Sequence, residues 1–167
     1  TGIRRQRQMC IRDRKYGDRD PTVLVVGGGQ AGLSVAARLT QLGIDTLIVD
    51  KNSRIGDNWR NRYHALTLHN QLHVNHLPYV PFPPTWPTYI PKDMLALWFE
   101  SYAKIMELNV WTDTELTAGT YDEARKFWDI TLTLKDGSTR NVAPRHVVLA
   151  TGVSGISNLP EIPTLDK

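Results

Sequence analysis

The chain has 167 residues, enough for one domain with a hydrophobic core and short for two. Its composition is that of an ordinary globular protein, and no apolar run approaches the ~20 residues that a membrane span requires. The single cysteine, Cys10, excludes an internal disulfide framework and any Cys-x-x-Cys redox or zinc site, and it favours a reducing, cytoplasmic setting.

The net charge of +3 is concentrated at the start of the chain. Residues 1–20 hold seven Lys or Arg and three Asp, a net of +4, which leaves −1 for the remainder. A basic tail could bind nucleic acid or acidic lipid, but this segment lacks apolar periodicity. Its "RQRQMCIRDR" also resembles translated sequencing-adaptor read-through. We therefore predict a disordered or artefactual leader over residues 1–20 that is dispensable for stability, and no nucleic-acid partner.

A βαβ unit follows the leader. Residues 22–26 form a short β-branched and apolar run, typical of a strand that is buried on both faces. Residues 30–42 carry apolar side chains at helical spacing, and Gly43 stands where a helix is often capped. Residues 46–49 predict a second buried strand, which ends at Asp50.

A glycine motif, Gly27-x-Gly29-x-x-Gly32, lies between the first strand and the helix. The first glycine permits a tight turn, the second lets the backbone approach a pyrophosphate, and the third lets helix and strand pack closely. The helix start, with Gln30 and Ala31, offers N–H groups and a partial positive charge to phosphates. An ordinary glycine-rich turn is the alternative, but the βαβ context predicts a dinucleotide site.

Asp50 stands at the position from which a carboxylate accepts hydrogen bonds from ribose hydroxyls. A negative charge there repels a 2′-phosphate, so the residue favours the adenosine of FAD or NAD over that of NADP. Lys51 beside it does not reverse this preference. The alternative is a solvated strand end.

The middle of the chain is a long connection followed by one helix. Residues 52–76 are polar and rich in turn formers, and residues 77–91 contain six prolines, which predict an extended covering loop. Asp93 is a candidate cap for a helix that runs to about Leu108. The predicted buried face of this helix comprises Leu95, Trp98, Phe99, Tyr102, Ile105 and Met106.

The last third has period-two patterns. "NVWTDTEL", "FWDITLTL" and "STRNVAP" predict three short strands, the last two joined by a hairpin at Asp136-Gly137. "RHVVLATG" predicts a further buried strand that ends in a glycine-containing turn. A simple NAD dehydrogenase would continue with βα units after Asp50, whereas this order resembles the FAD domain of flavoproteins with two dinucleotide sites. We therefore predict an α/β fold over residues 21–167, a Rossmann-like FAD-binding domain with a parallel sheet and an inserted β-meander.

The segment "IGDNWRNRYHALTLH", residues 55–69, and the proline-rich stretch after it resemble flavin-containing monooxygenases. The resemblance covers about residues 22 to 167 and implies a set of residues along the FAD. They are Gly27, Gly29 and Gly32 at the pyrophosphate, Asp50 at the ribose, Gly56, Asp57, Trp59 and Arg60 at the middle, Leu68, His69 and Asn70 beside the flavin ring, and Ala150, Thr151 and Gly152 closing the site. Family members often carry proline after the Leu-His pair, where this chain has Asn70-Gln71.

The same resemblance implies an activity. Members of this family reduce FAD with NADPH and transfer one oxygen atom of O₂ to a small molecule with a soft nucleophile, an amine or a sulfide. Neither a second glycine motif for NADPH nor the FxGxxxHxxx(F/Y/W) signature is present in the 167 residues. We therefore expect a chain that is truncated relative to the family, lacks the NADPH-binding domain, carries no catalytic residue and is inactive alone.

Two classes of alternative remain open. The chain could come from a Baeyer–Villiger monooxygenase, from an N-hydroxylase or from a reductase of the same two-dinucleotide architecture, or it could be a non-catalytic FAD-binding fragment.

His69, His73 and His76 have a spacing that can suit a metal. Because no Cys or Glu stands near them and prolines follow, we predict no metal site.

Overall fold

Seven strands and three α-helices make up residues 16–153, the part of the chain that the computed structural model describes. The strands are β1 Val23–Val26, β2 Thr46–Val49, β3 Val110–Trp111, β4 Thr114–Asp122, β5 Phe127–Leu134, β6 Thr139–Val142 and β7 His146–Leu149. The helices are α1 Gln30–Gln41, α2 Asp57–Arg60 and α3 Lys92–Ile105, with a 3₁₀ turn at Leu72–Val74. Within these residues no helix has the length and apolarity to cross a membrane.

The central element is a parallel sheet in the order β3-β2-β1-β7. Val25 of β1 lies opposite Ile48 of β2 on one side and Val148 of β7 on the other. The apolar runs of β1 and β2 are buried, which confirms the predicted Rossmann-like α/β fold. Because the strands are parallel, their carboxyl ends all meet at one edge of the sheet.

Strand β7 is less buried than its sequence predicted. It pairs only with β1 in the described sheet, and the side chain of Leu149 is 72% exposed. A strand at the border of a sheet lacks one neighbour, so its apolar side chains are covered only where other elements reach them.

Helix α1 packs on this sheet through Leu33, Ala36 and Ala37, which are all buried. Its length agrees with the predicted helix to within a residue. Gly43 follows the helix in the left-handed region, with φ of +72°, and confirms the predicted helix end.

The inserted meander differs from the prediction at its start. The segment "NVWTDTEL" was expected to be one strand, but Val110–Trp111 extends the parallel sheet beside β2, and Thr114–Asp122 opens a separate antiparallel sheet in the order β4-β5-β6. Asp113 turns the chain between them with φ of +50°, and its N–H donates to the carbonyl of Asn52. The Asp136-Gly137 hairpin is confirmed, with Gly137 at φ +82°.

Helix α3 also corrects the sequence analysis. It begins at Lys92 directly after Pro91, so Asp93 lies in the first turn and is not the cap. It ends at Ile105, three residues before the predicted end, because Glu107 adopts φ of +52°. Ile105 is 59% exposed rather than core, and the buried face consists of Leu95, Ala96, Phe99, Tyr102 and Ala103.

The proline-rich loop contains no helix or named strand, as predicted, and it covers the core on the α3 side. Leu77, Phe82 and Ile90 are buried beneath it. The Phe82 ring stacks on Trp86 at a centroid distance of 5.2 Å, and both rings contact Trp98 at 5.3 Å. Aromatic packing therefore fastens this loop to helix α3.

Tyr16 overturns part of the leader prediction. Its side chain is fully buried in a second apolar cluster, between the parallel sheet and the meander. Its hydroxyl donates to Asp45 Oδ1 at 2.8 Å, and Arg19 makes two hydrogen bonds to the same carboxylate. Burial and the Asp45 carboxylate raise the pKa of Tyr16 above its usual value. Residues 16–20 thus belong to the domain, whose start we had placed at residue 21, while residues 1–15 and Cys10 lie outside the described residues.

We predict that Tyr16 is the first residue along the chain that contributes to the stability of the domain. Tyr16→Ala should destabilise the protein by roughly 3–5 kcal/mol, because it removes a fully buried ring and orphans its partners. Deletion of residues 1–15 should leave the melting temperature unchanged, whereas deletion of residues 1–20 should lower it by several degrees. Urea and thermal unfolding measure both effects.

Tyr89→Ala is the matched control, since this tyrosine is 48% exposed and its loss should cost little. Equal stability of the two deletion variants would contradict the assignment of residues 16–20 to the domain.

Candidate dinucleotide site

The glycine loop is built by close backbone contacts. Gly27 follows β1 with φ of +108°, and its N–H donates to the Val49 carbonyl at 2.8 Å. A side chain at Gly27 would overlap the Ala150 carbonyl, and one at Gly32 would overlap the carbonyl of Gly27. In both cases the obstacle is backbone, which cannot move aside. The first and third glycines are therefore required by the fold itself.

The second glycine is different, because space remains around it. A Cβ at Gly29 would meet one side-chain atom, Nδ2 of Asn58, at 3.2 Å. Gly29 is also the N-cap residue of α1, and no side chain caps this helix. Gln30 and Ala31 are exposed, and the first turn contains no acidic residue. An uncapped helix start next to open space fits a phosphate group.

Asp50 stands at the carboxyl end of β2 beside this loop, as predicted. Its Oδ2 accepts the N–H of Gly28 at 2.6 Å, and its Oδ1 accepts the backbone and side-chain N–H groups of Asn52 at 2.8 and 2.9 Å. A carboxylate offers about four acceptor positions, so roughly one remains for a ribose hydroxyl. Asp50 therefore also fixes the shape of the loop. Lys51 is exposed next to it.

The turn after β7 lies against the same loop. The N–H of Ala150 donates to the Val26 carbonyl at 2.8 Å. Ala150 is half-buried, and Thr151 and Gly152 are exposed. The structure thus brings together the glycine loop, Asp50 and the 150–152 turn, three segments that are far apart in the sequence.

Helix α2 follows Gly56, whose backbone packs directly against the Ala96 carbonyl of α3. The Arg60 guanidinium donates to Asp57 Oδ1 at 2.8 Å and to Glu100 Oε2 at 2.9 Å. Asp57 and Arg60 therefore hold α2 on α3. That role was not foreseen in the sequence, and their contact with a cofactor stays a prediction.

Glu100 is the centre of this ion-pair network on α3. Burial opposes its ionisation, but hydrogen bonds from Arg54 at 2.8 Å and Lys104 at 3.2 Å outweigh the burial and lower the pKa of the carboxyl group. The carboxylate thus stays ionised at neutral pH. It provides a constant anchor for the basic side chains of α2 and its neighbours.

Trp59 packs its half-buried ring against the main core. Its Nε1 is buried and has no hydrogen-bond partner among residues 16–153. A buried indole N–H without an acceptor is uncommon in a finished protein interior. Trp98 and Trp111 share this feature, so the place of Trp59 along a cofactor stays a prediction.

Leu68, His69 and Asn70 lie in a segment that pairs with the end of the proline-rich loop. Leu68 is half-buried and its N–H donates to the Ile90 carbonyl at 2.9 Å, while His69 and Asn70 are exposed. Within the described part of the chain, no hydrogen bond joins these three residues to the glycine loop. Their place beside a flavin ring stays a prediction.

The three closely spaced histidines do not converge. His76 accepts the N–H of Phe82 through Nδ1 at 3.0 Å and contacts the ring of the same residue. Over residues 16–153, no group of three His, Cys, Asp or Glu side chains could hold a metal ion. His76 shapes the proline-rich loop through these two contacts.

A cleft of about 560 Å³ opens at the opposite edge of the sheet, between Pro21, Phe127 and Arg145 among others. It is distant from the glycine loop, since it lies at the amino end of β1. Sequence reasoning missed three residues of this site: Asn52, which binds Asp50, and Ile55 and Asn58, which lie against Gly28 and Gly29. Of these, only Asn52 carried a signal, because Asp and Asn two residues apart favour a local side-chain turn.

Residues 25–85 match the model of the NAD(P)-binding Rossmann-like domain family. The chain is 30% identical over 148 residues to the indole-3-pyruvate monooxygenase YUCCA1 of Oryza sativa subsp. japonica, an alignment of 88% of this chain and 36% of that protein. The chain thus spans about a third of the length of the curated relatives that it matches.

Solved structures share the fold. A flavin monooxygenase mutant from Stenotrophomonas maltophilia superposes with a TM-score of 0.75 at 25% identity, over 89% of this chain and 43% of that one. The bacillithiol disulfide reductase Bdr of Bacillus cereus superposes with 0.78 at 20% identity, over 86% and 43%, and shows the fold alone. The matched glycine loop and these relatives show a Rossmann-like dinucleotide-binding domain whose homologues are flavin monooxygenases.

Proposed function

We propose that this chain is the FAD-binding part of a flavin-dependent monooxygenase that uses NADPH and O₂. The observation that carries the proposal is the edge of the parallel sheet, where the glycine loop, Asp50 and the 150–152 turn meet below an uncapped helix. The homologues support this class of reaction, since the Oryza sativa relative and the Stenotrophomonas maltophilia structure are monooxygenases.

The residues present fit FAD. The open space at Gly29 and the free start of α1 suit a pyrophosphate, and Asp50 retains acceptor capacity for a ribose hydroxyl. No acceptor among residues 16–153 takes the hydrogen of Trp59 Nε1, so this donor is available to a bound group. FAD, when bound, supplies the electron transfer and the activation of O₂. The chain's own residues bind and orient it.

Asp50 supports a preference for FAD over NADP at this loop. Its carboxylate is fixed by Gly28 and Asn52, so it cannot swing away from a 2′-phosphate. Two negative groups within a few ångströms repel each other, and their repulsion energy rises where water is partly excluded. NADPH would therefore bind at a separate site, for which the 167 residues hold no second G-x-G-x-x-G motif.

Two substrate classes follow from different observations. The family resemblance favours an amine or a sulfide. The names of the relatives favour a 2-oxo acid, because the Oryza and Arabidopsis thaliana proteins are called indole-3-pyruvate monooxygenases. A full-length parent protein that oxidises NADPH faster with one class than with the other would decide between them.

We predict that the 167-residue chain retains FAD after refolding and desalting, and that two glycine variants separate binding from folding. Gly29→Ala should fold normally, because its methyl group meets only a flexible amide. The amount of FAD that it retains should fall at least tenfold, since the methyl group occupies the space for the phosphate. Gly32→Val should lower the stability itself, because it collides with backbone. Flavin absorbance and thermal unfolding measure the two effects.

Gly43→Asn is the control for a glycine away from the loop, because nothing lies within 4 Å of an added Cβ and asparagine tolerates the left-handed backbone at φ of +72°. Retention of NADP⁺ in place of FAD would contradict the assignment of FAD as the cofactor.

We also expect the 167-residue chain alone to show no substrate-stimulated NADPH oxidation. Oxygen transfer needs a hydride donor held beside the flavin and a site closed to water, and the described residues provide a nucleotide loop only. Absorbance at the NADPH band, with an amine, a sulfide and a 2-oxo acid in turn, tests this against free FAD as the control. Turnover above that control would show that this part is sufficient.

A further inference from the structure

Asn58 borders the space that Gly29 leaves open. An ideal Cβ on Gly29 would lie 3.2 Å from Asn58 Nδ2, and no other atom of residues 16–153 lies within 4 Å of it beyond the chain neighbours. A glycine at this point of the motif admits a phosphate group to the backbone. The Asn58 amide therefore stands at hydrogen-bond distance from the volume that the phosphate would take.

The position of Asn58 is held firmly by the helix that carries it. Gly56 packs on the Ala96 carbonyl, Arg60 bridges to Glu100 on α3, and the buried Lys92 ammonium donates to the Arg60 carbonyl at 3.0 Å. Contacts therefore hold α2 at its start and at its end. A side chain on such an element is oriented before any ligand arrives, which reduces the entropic cost of binding.

The Asn58 side chain is half-buried, and no hydrogen bond from it to another residue is found over residues 16–153, although its backbone carbonyl accepts from Arg62. A partly buried amide tends to be satisfied by protein or by a ligand. The neighbouring Asp57, by contrast, is fully engaged by Arg60 and the backbone of Arg54. Of the two polar residues at the start of α2, only Asn58 faces the loop with donors to spare.

We propose that Asn58 is a further nucleotide-binding residue, whose side-chain amide donates a hydrogen bond to a phosphate oxygen of the dinucleotide held at Gly29. The inference rests on the proposed function and adds a residue to its site. A phosphate oxygen is only an acceptor, so the amide N–H₂ is the matching group. The amide lies opposite the N-terminus of α1, which carries a partial positive charge. The amide and the helix terminus therefore both stabilise the negative charge of the phosphate.

Asn58→Asp is the most direct test, because it keeps the shape of the side chain and replaces a donor by a negative charge. We expect the Kd for FAD and for ADP to rise at least tenfold, since a hydrogen bond to a charged group is lost and a repulsion is gained. Asn58→Ala removes the donor alone and should raise both values roughly tenfold. Fluorescence titration with FAD and calorimetric titration with ADP give the constants.

Asn61→Asp is the matched control, since Asn61 is exposed at the other end of the same helix and should leave both constants unchanged. Thermal unfolding of each apo variant confirms that the fold is retained. Unchanged Kd values in both Asn58 variants would overturn the assignment. If the wild-type chain binds ADP but not FAD, the proposed function fails while the ADP titrations still decide the role of Asn58.

Discussion

The structure depends on one steric constraint, the contact of three backbone segments with no side chain between them. The Gly27 carbonyl touches the position where a side chain of Gly32 would lie, and Gly27 itself abuts the carbonyl of Ala150. Helix α1 is brought as close to β1 as two main chains allow. This approach directs the start of α1 at the sheet edge where β1, β2 and β7 end. The close packing that shapes the fold therefore also forms the proposed nucleotide site.

Asp50 connects this constraint to the next strand. A carboxylate that accepts three N–H groups from the loop and from Asn52 is shared between recognition and folding. A hydrogen bond to a charged group contributes about 1.5–3 kcal/mol, so the loop owes part of its order to the residue that we propose binds the ribose. Substitutions at Asp50 would consequently mix effects on the ligand with effects on the loop. Gly29 and Asn58 separate them better, because neither holds the fold together.

Local signals account for what the sequence predicted correctly. The βαβ unit, the Asp136-Gly137 hairpin and the open proline-rich loop each depend on residues within a few positions of one another. The errors depend on distant partners. Asp113 turns the chain because its N–H reaches Asn52, and Tyr16 is buried because the meander closes over it, and neither event leaves a mark in the neighbouring residues. The sequence also predicted that Asp50 lies beside the glycine loop, whereas it gave no sign of Asn58, whose place beside Gly29 depends on how α2 packs.

The anchoring of Tyr16 has a practical consequence for experiments on this domain. Tyr16 is tied to Asp45 and Thr46, at the amino end of β2, whereas Asp50 marks the carboxyl end of the same strand. At about 3.3 Å per strand residue, the two ends are separated by more than 10 Å. A fluorescent reporter or a surface-immobilisation tag attached ahead of Tyr16 would therefore emerge at the edge of the sheet away from the nucleotide. Ligand binding could then be followed on an immobilised protein whose binding edge still faces the solvent.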